Sequence, residues 1–223
     1  ALHFVNVMTR PIVAPWGGAD ARFGTNPCCI GVPLAGQPPM ILDFATSAVA
    51  QGKMRVAHNK GERVPPGRLI DDQGRPTDDP RYVVTEPWGA LLPFGGHKGS
   101  GLAIVCELLG GALTGGGTTH GPHDGSRRVY NGMLSVLIDP ARTGSGADTF
   151  FSESAAFVES LRRSPPAPGF DRVRIAGEPE REARARRMAE GIPVDATTWE
   201  EILLAGEKVG VARAATSHAA GLS

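Results

Sequence analysis

The chain has 223 residues, which is enough for one large domain or two small ones with a hydrophobic core. Its Lys+Arg and Asp+Glu counts are both 23, so the formal net charge is zero and the composition favours neither a nucleic acid nor an anionic membrane as a partner. Three cysteines, with Cys28 next to Cys29, argue against a disulfide framework and favour a reducing, cytoplasmic compartment, and the longest apolar run, 102–106, is too short to span a bilayer.

The first third of the chain is predicted to form short strands joined by tight turns. Apolar runs at 2–7, 28–32 and 40–44 are separated by residues typical of turns. A helix is predicted at 46–60 from its run of helix-compatible residues. Residues 61–93, dense in proline, glycine and aspartate, are predicted to be a long irregular region that carries function or wraps a partner subunit.

The clearest predicted helix covers residues 98–113. One of its faces carries Leu102, Val105, Cys106, Leu109 and Leu113, and the opposite face is apolar as well. This pattern predicts a helix that is nearly surrounded by protein. A glycine-rich, mobile loop at 115–125 and a buried strand at 133–138 are expected to follow.

Three further helices are predicted in the last third. They cover 150–163, 179–190 and a segment that begins at Thr198, where Thr198 and Glu201 form a capping box. The tail after Val211 is expected to fray. Strands, a helix, another strand and further helices together predict an α/β or α+β fold.

Two common nucleotide-binding motifs are absent in their standard form. Gly99-Ser100-Gly101 is followed by Ile104 where a Rossmann fingerprint needs its third glycine or alanine. Gly52-Lys53 is followed by Met54 where a P-loop needs serine or threonine. A standard Rossmann or P-loop site is therefore not supported.

The glycine-rich run at 95–101, which leads into the long predicted helix, is the main candidate for ligand binding. Glycines let a ligand approach the backbone, free N–H groups at a helix start favour anions, and Lys98 adds a positive charge. A phosphate or pyrophosphate would fit there, held by Lys98 and the amides of 99–101. The alternative is that the glycines only allow close packing and that Lys98 is a solvated loop residue.

A second candidate lies where the third strand passes into the first helix. Asp43 could accept hydrogen bonds from ribose hydroxyls, and Thr46 or Ser47 could donate to a phosphate. Thr46 or Ser47 could instead serve as a helix N-cap. Residues 22–27, which include Arg22, favour a structural turn over a ligand site.

The histidines do not predict a metal site. His120, His123 and Asp124 lie close together in the sequence, but no second pair with suitable spacing completes a four-ligand set. His97 and His58 could act as general acids, although a lone loop histidine is more often a surface residue.

Several of these motifs together, in this order, resemble one enzyme family. They resemble the malate/L-lactate dehydrogenase family, a non-Rossmann group that also contains ureidoglycolate dehydrogenase, sulfolactate dehydrogenase, diketogulonate reductase and cyclic imino-acid reductases. The resemblance covers residues 1–209. It rests on Ala14-Pro15-Trp16-Gly17-Gly18, Arg22-Phe23-Gly24-Thr25-Asn26-Pro27, Leu42-Asp43-Phe44-Ala45-Thr46-Ser47, Gly52-Lys53, Pro93-Phe94-Gly95-Gly96-His97-Lys98-Gly99-Ser100-Gly101 and Gly191-Ile192-Pro193-Val194.

The resemblance implies a mixed sheet with flanking helices that binds NAD or NADP outside the Rossmann scheme. It further implies a cytoplasmic homodimer acting on a 2-hydroxy or 2-keto acid, with a cofactor-binding α/β domain at 1–170 and a helical segment at 171–223 that packs with an N-terminal domain. With the residue-level reading above, the expected cofactor contacts are Pro39, Met40, Ile41, Leu42, Asp43, Phe44, Ala45, Thr46, His97, Lys98, Gly99, Gly177, Glu178 and Pro179.

One departure from the family pattern concerns catalysis. Family members carry an N-terminal segment with Ser-His-Gly, which supplies the proposed acid/base histidine and the substrate arginine. The present sequence starts after that segment, so we expect a truncated enzyme and assign no catalytic residue. The alternatives are a non-catalytic nucleotide-binding or dimerisation remnant and a cyclic imino-acid reductase.

Overall fold

A computed structural model describes residues 1–121 and 129–222. Within these ranges a π-helical turn, Glu107–Ala112, directly continues the second α-helix, and 3₁₀ turns lie at Pro80–Val83 and Pro140–Arg142. The strands and α-helices, in chain order, are β1 (Leu2–Met8), β2 (Cys28–Leu34), β3 (Gln37–Phe44), α1 (Gln51–Asn59), β4 (Leu69–Ile70), β5 (Pro76–Thr77), β6 (Ala90–Leu91), α2 (His97–Cys106), β7 (Tyr130–Val136), α3 (Gly146–Arg162), α4 (Glu178–Glu190), α5 (Ala196–Lys208) and α6 (Arg213–Ala219).

Two sheets organise the chain. The larger has the strand order β3-β2-β1-β7, with antiparallel neighbours, and the smaller has the order β5-β4-β6. An isolated parallel bridge joins Val13 to Leu91. Helices flank the sheets, so the predicted α/β class is confirmed. No helix in the described part of the chain has both the length and the apolar character needed to cross a bilayer.

Residues 61–93 are mostly irregular, as predicted, but they also contain short regular elements and buried residues. The segment supplies β4, β5, β6 and a 3₁₀ turn, and Leu69, Ile70 and Val83 are buried in it. Leu69 and Val83 join the largest apolar cluster together with Ile12, Val13, Phe23, Met54, Ala57, Val64, Leu91 and Ala103. Strands of two residues are too short to produce a recognisable alternation in the sequence.

Helix α2 is exposed along the side that carries its large apolar residues, contrary to the prediction that protein nearly surrounds it. Ile104 and Leu108 are 47% and 54% exposed. The buried side of α2 and the π turn is made mainly of small residues, namely Gly99, Ser100, Ala103, Cys106, Gly110 and Gly111 together with Glu107. A Cβ at Gly110 would lie 2.8 Å from the Asn6 nitrogen and the Phe4 oxygen of β1. Small residues therefore bring this helix onto the sheet backbone.

Four other predictions need correction. Strand β7 is mostly exposed instead of buried. Helix α5 is capped by Asp195, whose carboxylate accepts from the Thr198 amide (2.9 Å) and hydroxyl (2.7 Å), so Thr198 is not the cap. The tail forms helix α6, which Arg213 ties to α5 through Glu200 and Glu207. Helix α1 begins at Gln51, five positions later than predicted. The confirmed elements include β1, β2, β3, α3 and α4, each within a few residues.

Candidate functional site

Two of the sequence-predicted segments meet the same strand, β3. At the C-terminal end of β3, the Phe94 amide donates to the Thr46 carbonyl (3.0 Å), and the Phe44 and Phe94 rings pack edge to face with centroids 5.6 Å apart. Along the free edge of β3, the Ile41 amide donates to the Ala176 carbonyl (3.2 Å). The loop before α2 and the turn before α4 therefore flank one strand that itself carries predicted site residues.

The start of α2 offers backbone donors to a ligand. Its N-cap, Gly96, has φ of +62° and supplies no side-chain hydrogen bond, so the first amides of the helix have no side-chain cap. Trp16 covers this end, since its amide donates to the Ser100 hydroxyl (3.1 Å) and its ring lies 5.6 Å, edge to face, from the ring of His97. The motif 14–18 thus packs against the glycine-rich loop. His97 and Lys98 are both exposed at this end.

Gly99 has a packing role in this helix start. Its amide donates to the Phe94 carbonyl (2.9 Å), and a Cβ at this position would lie 2.7 Å from the Phe94 nitrogen and 2.8 Å from the Thr46 oxygen. The Ser100 amide donates to Gly96 (3.2 Å). Both amides are therefore already used, contrary to the expectation that they hold phosphate. The amides that can still bind a ligand are therefore those of His97 and Lys98. The Lys98 amide makes only a long hydrogen bond (3.4 Å), to the Gly95 carbonyl.

Thr46 and Ser47 have neither of the roles considered for them. The Thr46 hydroxyl donates to the Thr25 carbonyl (2.9 Å), and the Ser47 hydroxyl donates to the Val49 carbonyl (2.8 Å). Both residues are buried, and the N-cap of α1 is Ala50. Their hydroxyls fix the path of the chain between β3 and α1. This leaves the Thr46 backbone as the part that meets the α2 loop.

The turn that begins α4 lies against the edge of β3. Gly177 has φ of +90°, and a Cβ there would lie 3.2 Å from the Ile41 nitrogen and 3.3 Å from its oxygen. The Arg181 guanidinium donates to the Pro39 carbonyl (3.2 Å). The Glu178 carboxylate accepts from the Ile175 amide (3.0 Å) and from Arg162 (2.8 Å), and these two bonds lower its pKa. Its charge is therefore used within the protein.

Asp43 belongs to a row of polar side chains that the sequence analysis did not predict. Directly paired residues of antiparallel strands share a face, and Asp43 pairs with Cys29, Cys29 with His3, and His3 with Ser135. His3 Nδ1 and Ser135 Oγ are hydrogen-bonded at 2.8 Å. Burial, followed by the nearby Asp43 carboxylate, raises the pKa of the Cys29 thiol. Asp43 itself is exposed, so its carboxylate is open to a ligand.

The segment 22–27 is structural, in agreement with the turn interpretation. Arg22 is paired with Asp20 at the surface (2.6 Å). The fully buried Asn26 accepts from the Val7 amide (3.0 Å) and donates to Glu107 (2.8 Å). Glu107 in turn accepts from the Thr119 amide (3.0 Å). This network joins the turn, the π segment and the loop that follows it.

Histidines and carboxylates do not gather into a metal site in the part of the chain that the structure describes. His120 Nδ1 is hydrogen-bonded to the Thr118 hydroxyl at 2.7 Å. His123 and Asp124, the other members of this histidine and aspartate cluster, lie outside the described residues, as do 122–125 of the predicted loop 115–125. His58 lies half-buried in the last turn of α1, outside the loop that leads into α2.

Comparison with known proteins places this geometry in context. The sequence profile described as "Malate/L-lactate dehydrogenase" matches residues 1–203. The chain is 43% identical over 213 residues to hydroxycarboxylate dehydrogenase B of Escherichia coli K12. This match covers 95% of the present chain and 58% of that protein. It is 39% identical over 206 residues to Delta(1)-pyrroline-2-carboxylate/Delta(1)-piperideine-2-carboxylate reductase of Pseudomonas syringae (91% of this chain, 57% of that protein).

A solved structure agrees with the fold. The structure described as a putative malate/lactate dehydrogenase from E. coli superimposes with a TM-score of 0.87 at 42% identity, covering 94% of this chain and 58% of that one. The present chain thus spans a little under three fifths of the length of these relatives.

Proposed function

Because the chain belongs to the malate/L-lactate dehydrogenase family, we propose that it forms the NAD(P)-binding part of an oxidoreductase that acts on 2-hydroxy or 2-keto acids. The bound nicotinamide would exchange a hydride with C2 of the acid. In this reaction the described residues would bind and orient the cofactor, since none of them is assigned as the proton donor. The match covers only 58% of the E. coli relative, so we propose the hydride-transfer reaction for a whole enzyme that contains this part.

The convergence of two loops on β3 carries this proposal. The loop before α2 meets the C-terminal end of the strand at Thr46, and the turn before α4 meets its edge at Ile41. Five residues of extended chain separate these points, or about 17 Å. An elongated ligand with charged and polar groups along its length suits such a site.

The exposed groups at this site fit a dinucleotide. Lys98 and the amides of His97 and Lys98 suit the pyrophosphate, because an uncapped helix start with a lysine attracts anions. The exposed Asp43 carboxylate suits ribose hydroxyls, which favours NAD over NADP if it contacts the 2′-hydroxyl. The Gly177 turn packs on Ile41 and would form the border of the site along the edge of β3. We assign the predicted contacts Pro39–Thr46, His97, Lys98, Gly99 and Gly177–Pro179 to this site, with the buried Thr46 and Gly99 acting through packing.

Three further parts of the proposal concern the whole protein. We assign 1–170 to a cofactor domain and 171–223 to a helical segment. Exposed apolar residues of α2 and the π turn, including Ile104 and Leu108, support association as a homodimer. The free thiols of Cys28, Cys29 and Cys106 support a reducing, cytoplasmic compartment.

A cyclic imino-acid reductase is the second candidate, because the Pseudomonas syringae relative carries that name at 39% identity. The experiment is to incubate the purified chain with NADH or NADPH and panels of 2-keto acids and cyclic imino acids, following cofactor absorbance. Oxidation with 2-keto acids supports the main proposal, and oxidation confined to imino acids supports the second. Saturable NADH binding without turnover supports a non-catalytic remnant, and no binding of either cofactor refutes all three.

A further inference from the structure

A cavity of about 210 Å³ lies beside the start of α1, outside the β3 site. It is smaller than the ~300–1,000 Å³ typical of pockets for drug-sized ligands, which suits a small molecule. Its lining combines two guanidinium groups with apolar surface: Arg10, Gln51, Gly52, Arg55, Val83, Val84 and Trp88.

Arg10 is the distinctive group in this cavity. Its guanidinium carbon lies 3.7 Å from the centre of the Trp88 ring, so the aromatic face holds the guanidinium in place. Its one hydrogen bond in the described structure is long, 3.5 Å from Nη1 to the Pro11 carbonyl. Among the described residues no carboxylate forms an ion pair with it, which leaves most of its five donors free.

The other charges around the cavity are already engaged. Arg55 is paired with Glu201 of α5 (2.8 Å). Glu86 accepts from the Trp88 indole N–H (3.2 Å) and lies near Arg10 without pairing with it. Burial lowers the pKa of Arg10, and the Glu86 charge opposes this, so the guanidinium stays charged while partly removed from water. Arg10 is thus a positively charged group whose N–H donors are mostly available to a ligand.

The segment that joins β3 to α1 connects the cavity to the cofactor site along the chain. Thr46, at one end of this segment, bonds to the loop before α2, while Gln51 and Gly52 at the other end line the cavity. At most about 17 Å of chain separates the two ends. A small acid bound in the cavity would therefore be connected to the cofactor site by one short, continuous segment of chain.

We propose that this cavity binds a carboxylate of the 2-keto or 2-hydroxy acid through Arg10, with Val83 and Val84 against its carbon chain, an inference that rests on the proposed function. A guanidinium recognises a carboxylate with paired N–H donors, and Trp88 presents that fork in a fixed orientation. The two valines favour an acid with a branched or unbranched aliphatic chain over a strongly polar one.

The test is a titration of the full chain, loaded with NAD⁺ so that no hydride transfer to the keto acid can occur, with 4-methyl-2-oxopentanoate. Binding is followed by the NMR shift of the Trp88 indole N–H, assigned with Trp88→Phe. We expect saturable binding, a loss of about tenfold or more in affinity for Arg10→Gln, and a smaller loss for Arg10→Lys, which keeps the charge without the fork. Arg142→Gln, at an arginine whose side chain is 88% exposed and lines no part of this cavity, should bind like the parent chain.

A second probe does not depend on any variant. The uncharged 4-methyl-2-oxopentanamide should bind the parent chain about tenfold or more weakly. Equal affinity for acid and amide, unchanged affinity in Arg10→Gln, or no Trp88 shift would overturn the assignment while NADH binding upholds the proposed function. If nicotinamide fluorescence shows that NADH does not bind, both the function and this inference are rejected.

Discussion

Replacing Gly177 by alanine tests whether the turn before α4 must lie against β3. Gly177 has φ of +90°, where an L-residue costs roughly 1–2 kcal/mol. The new Cβ would lie 3.2 Å and 3.3 Å from the backbone nitrogen and oxygen of Ile41, closer than an ordinary van der Waals contact. It would also lie 2.9 Å from Arg181 Nη1, the end of a flexible side chain that can move away.

The expected cost has two parts. The backbone term is ~1–2 kcal/mol. If the turn moves away from the strand to relieve the contact, the 3.2 Å bond from the Ile41 amide to Ala176 weakens, at about 1 kcal/mol. We therefore expect the free energy of unfolding to fall by ~2–3 kcal/mol. NADH affinity should fall as well, because the turn and strand together form the proposed site.

Gly169→Ala is the matched control, since Gly169 has φ of +88° and a Cβ there would have nothing within 4 Å. Urea unfolding and NADH titration of both variants separate the two terms. Gly169→Ala should show the backbone cost alone and normal NADH affinity. Equal destabilisation of both variants, with parental NADH affinity in Gly177→Ala, would refute the claim that this turn must contact β3.

Three further predictions follow from contacts at the site and below it. Lys98→Gln should raise the NADH dissociation constant by ~10–150-fold, because a charged hydrogen bond to phosphate is lost. Its free energy of unfolding should stay within about 0.5 kcal/mol of the parent, because the side chain is exposed. NADH affinity equal to that of the parent would show that Lys98 does not bind phosphate. Glu107→Gln should lower the free energy of unfolding by ~1–3 kcal/mol in urea titrations, because an amide NH₂ replaces one of two acceptors that face the Asn26 and Thr119 N–H groups; an unchanged midpoint would contradict that network. Glu178 has a lowered pKa, so it stabilises the fold fully above the ordinary glutamate pKa of about 4.3, and this stabilisation is lost as pH falls through the lowered value. On the acid side, the free energy of unfolding of Glu178→Gln should therefore change less steeply with pH than that of the parent. Identical curves for the two proteins would contradict a contribution of Glu178 ionisation to stability.

The sequence suggests residues for the proposed site more directly than it predicts which side chains are buried. Asp43 and Lys98 could be selected because a carboxylate at a strand end and a lysine after glycines each suggest specific chemistry. Gly177 required the family resemblance, since a single glycine before a helix has many uses. Its φ and its contact with Ile41 become evident only when the turn is placed against the strand.

The prediction that protein nearly surrounds α2 is wrong because it treats every large apolar residue of the helix as buried. The structure instead buries small residues such as Gly110 and Ala103, which let the helix approach β1, and leaves Ile104 and Leu108 exposed. A π turn also changes which positions share a face after Cys106. Sequence periodicity at 3.6 residues per turn does not predict such a shift.

Side chains that meet across the fold leave no local signal in the sequence. Arg10 and Trp88 are far apart in the chain yet stack at 3.7 Å, and the row from Ser135 through His3 and Cys29 to Asp43 requires the register of four strands. Polar residues of this kind can be found only after strand pairing is known.

The central claim is that β3, the start of α2 and the Gly177 turn form one nicotinamide-cofactor site. Titration of the ¹⁵N-labelled chain with NADH, and separately with NADPH, tests it most directly by mapping which backbone amides shift. The account predicts saturable binding with the largest shifts at Ile41, Asp43, His97, Lys98 and Gly177. Absence of saturable binding by either cofactor, or shifts confined to residues away from these three segments, would contradict it.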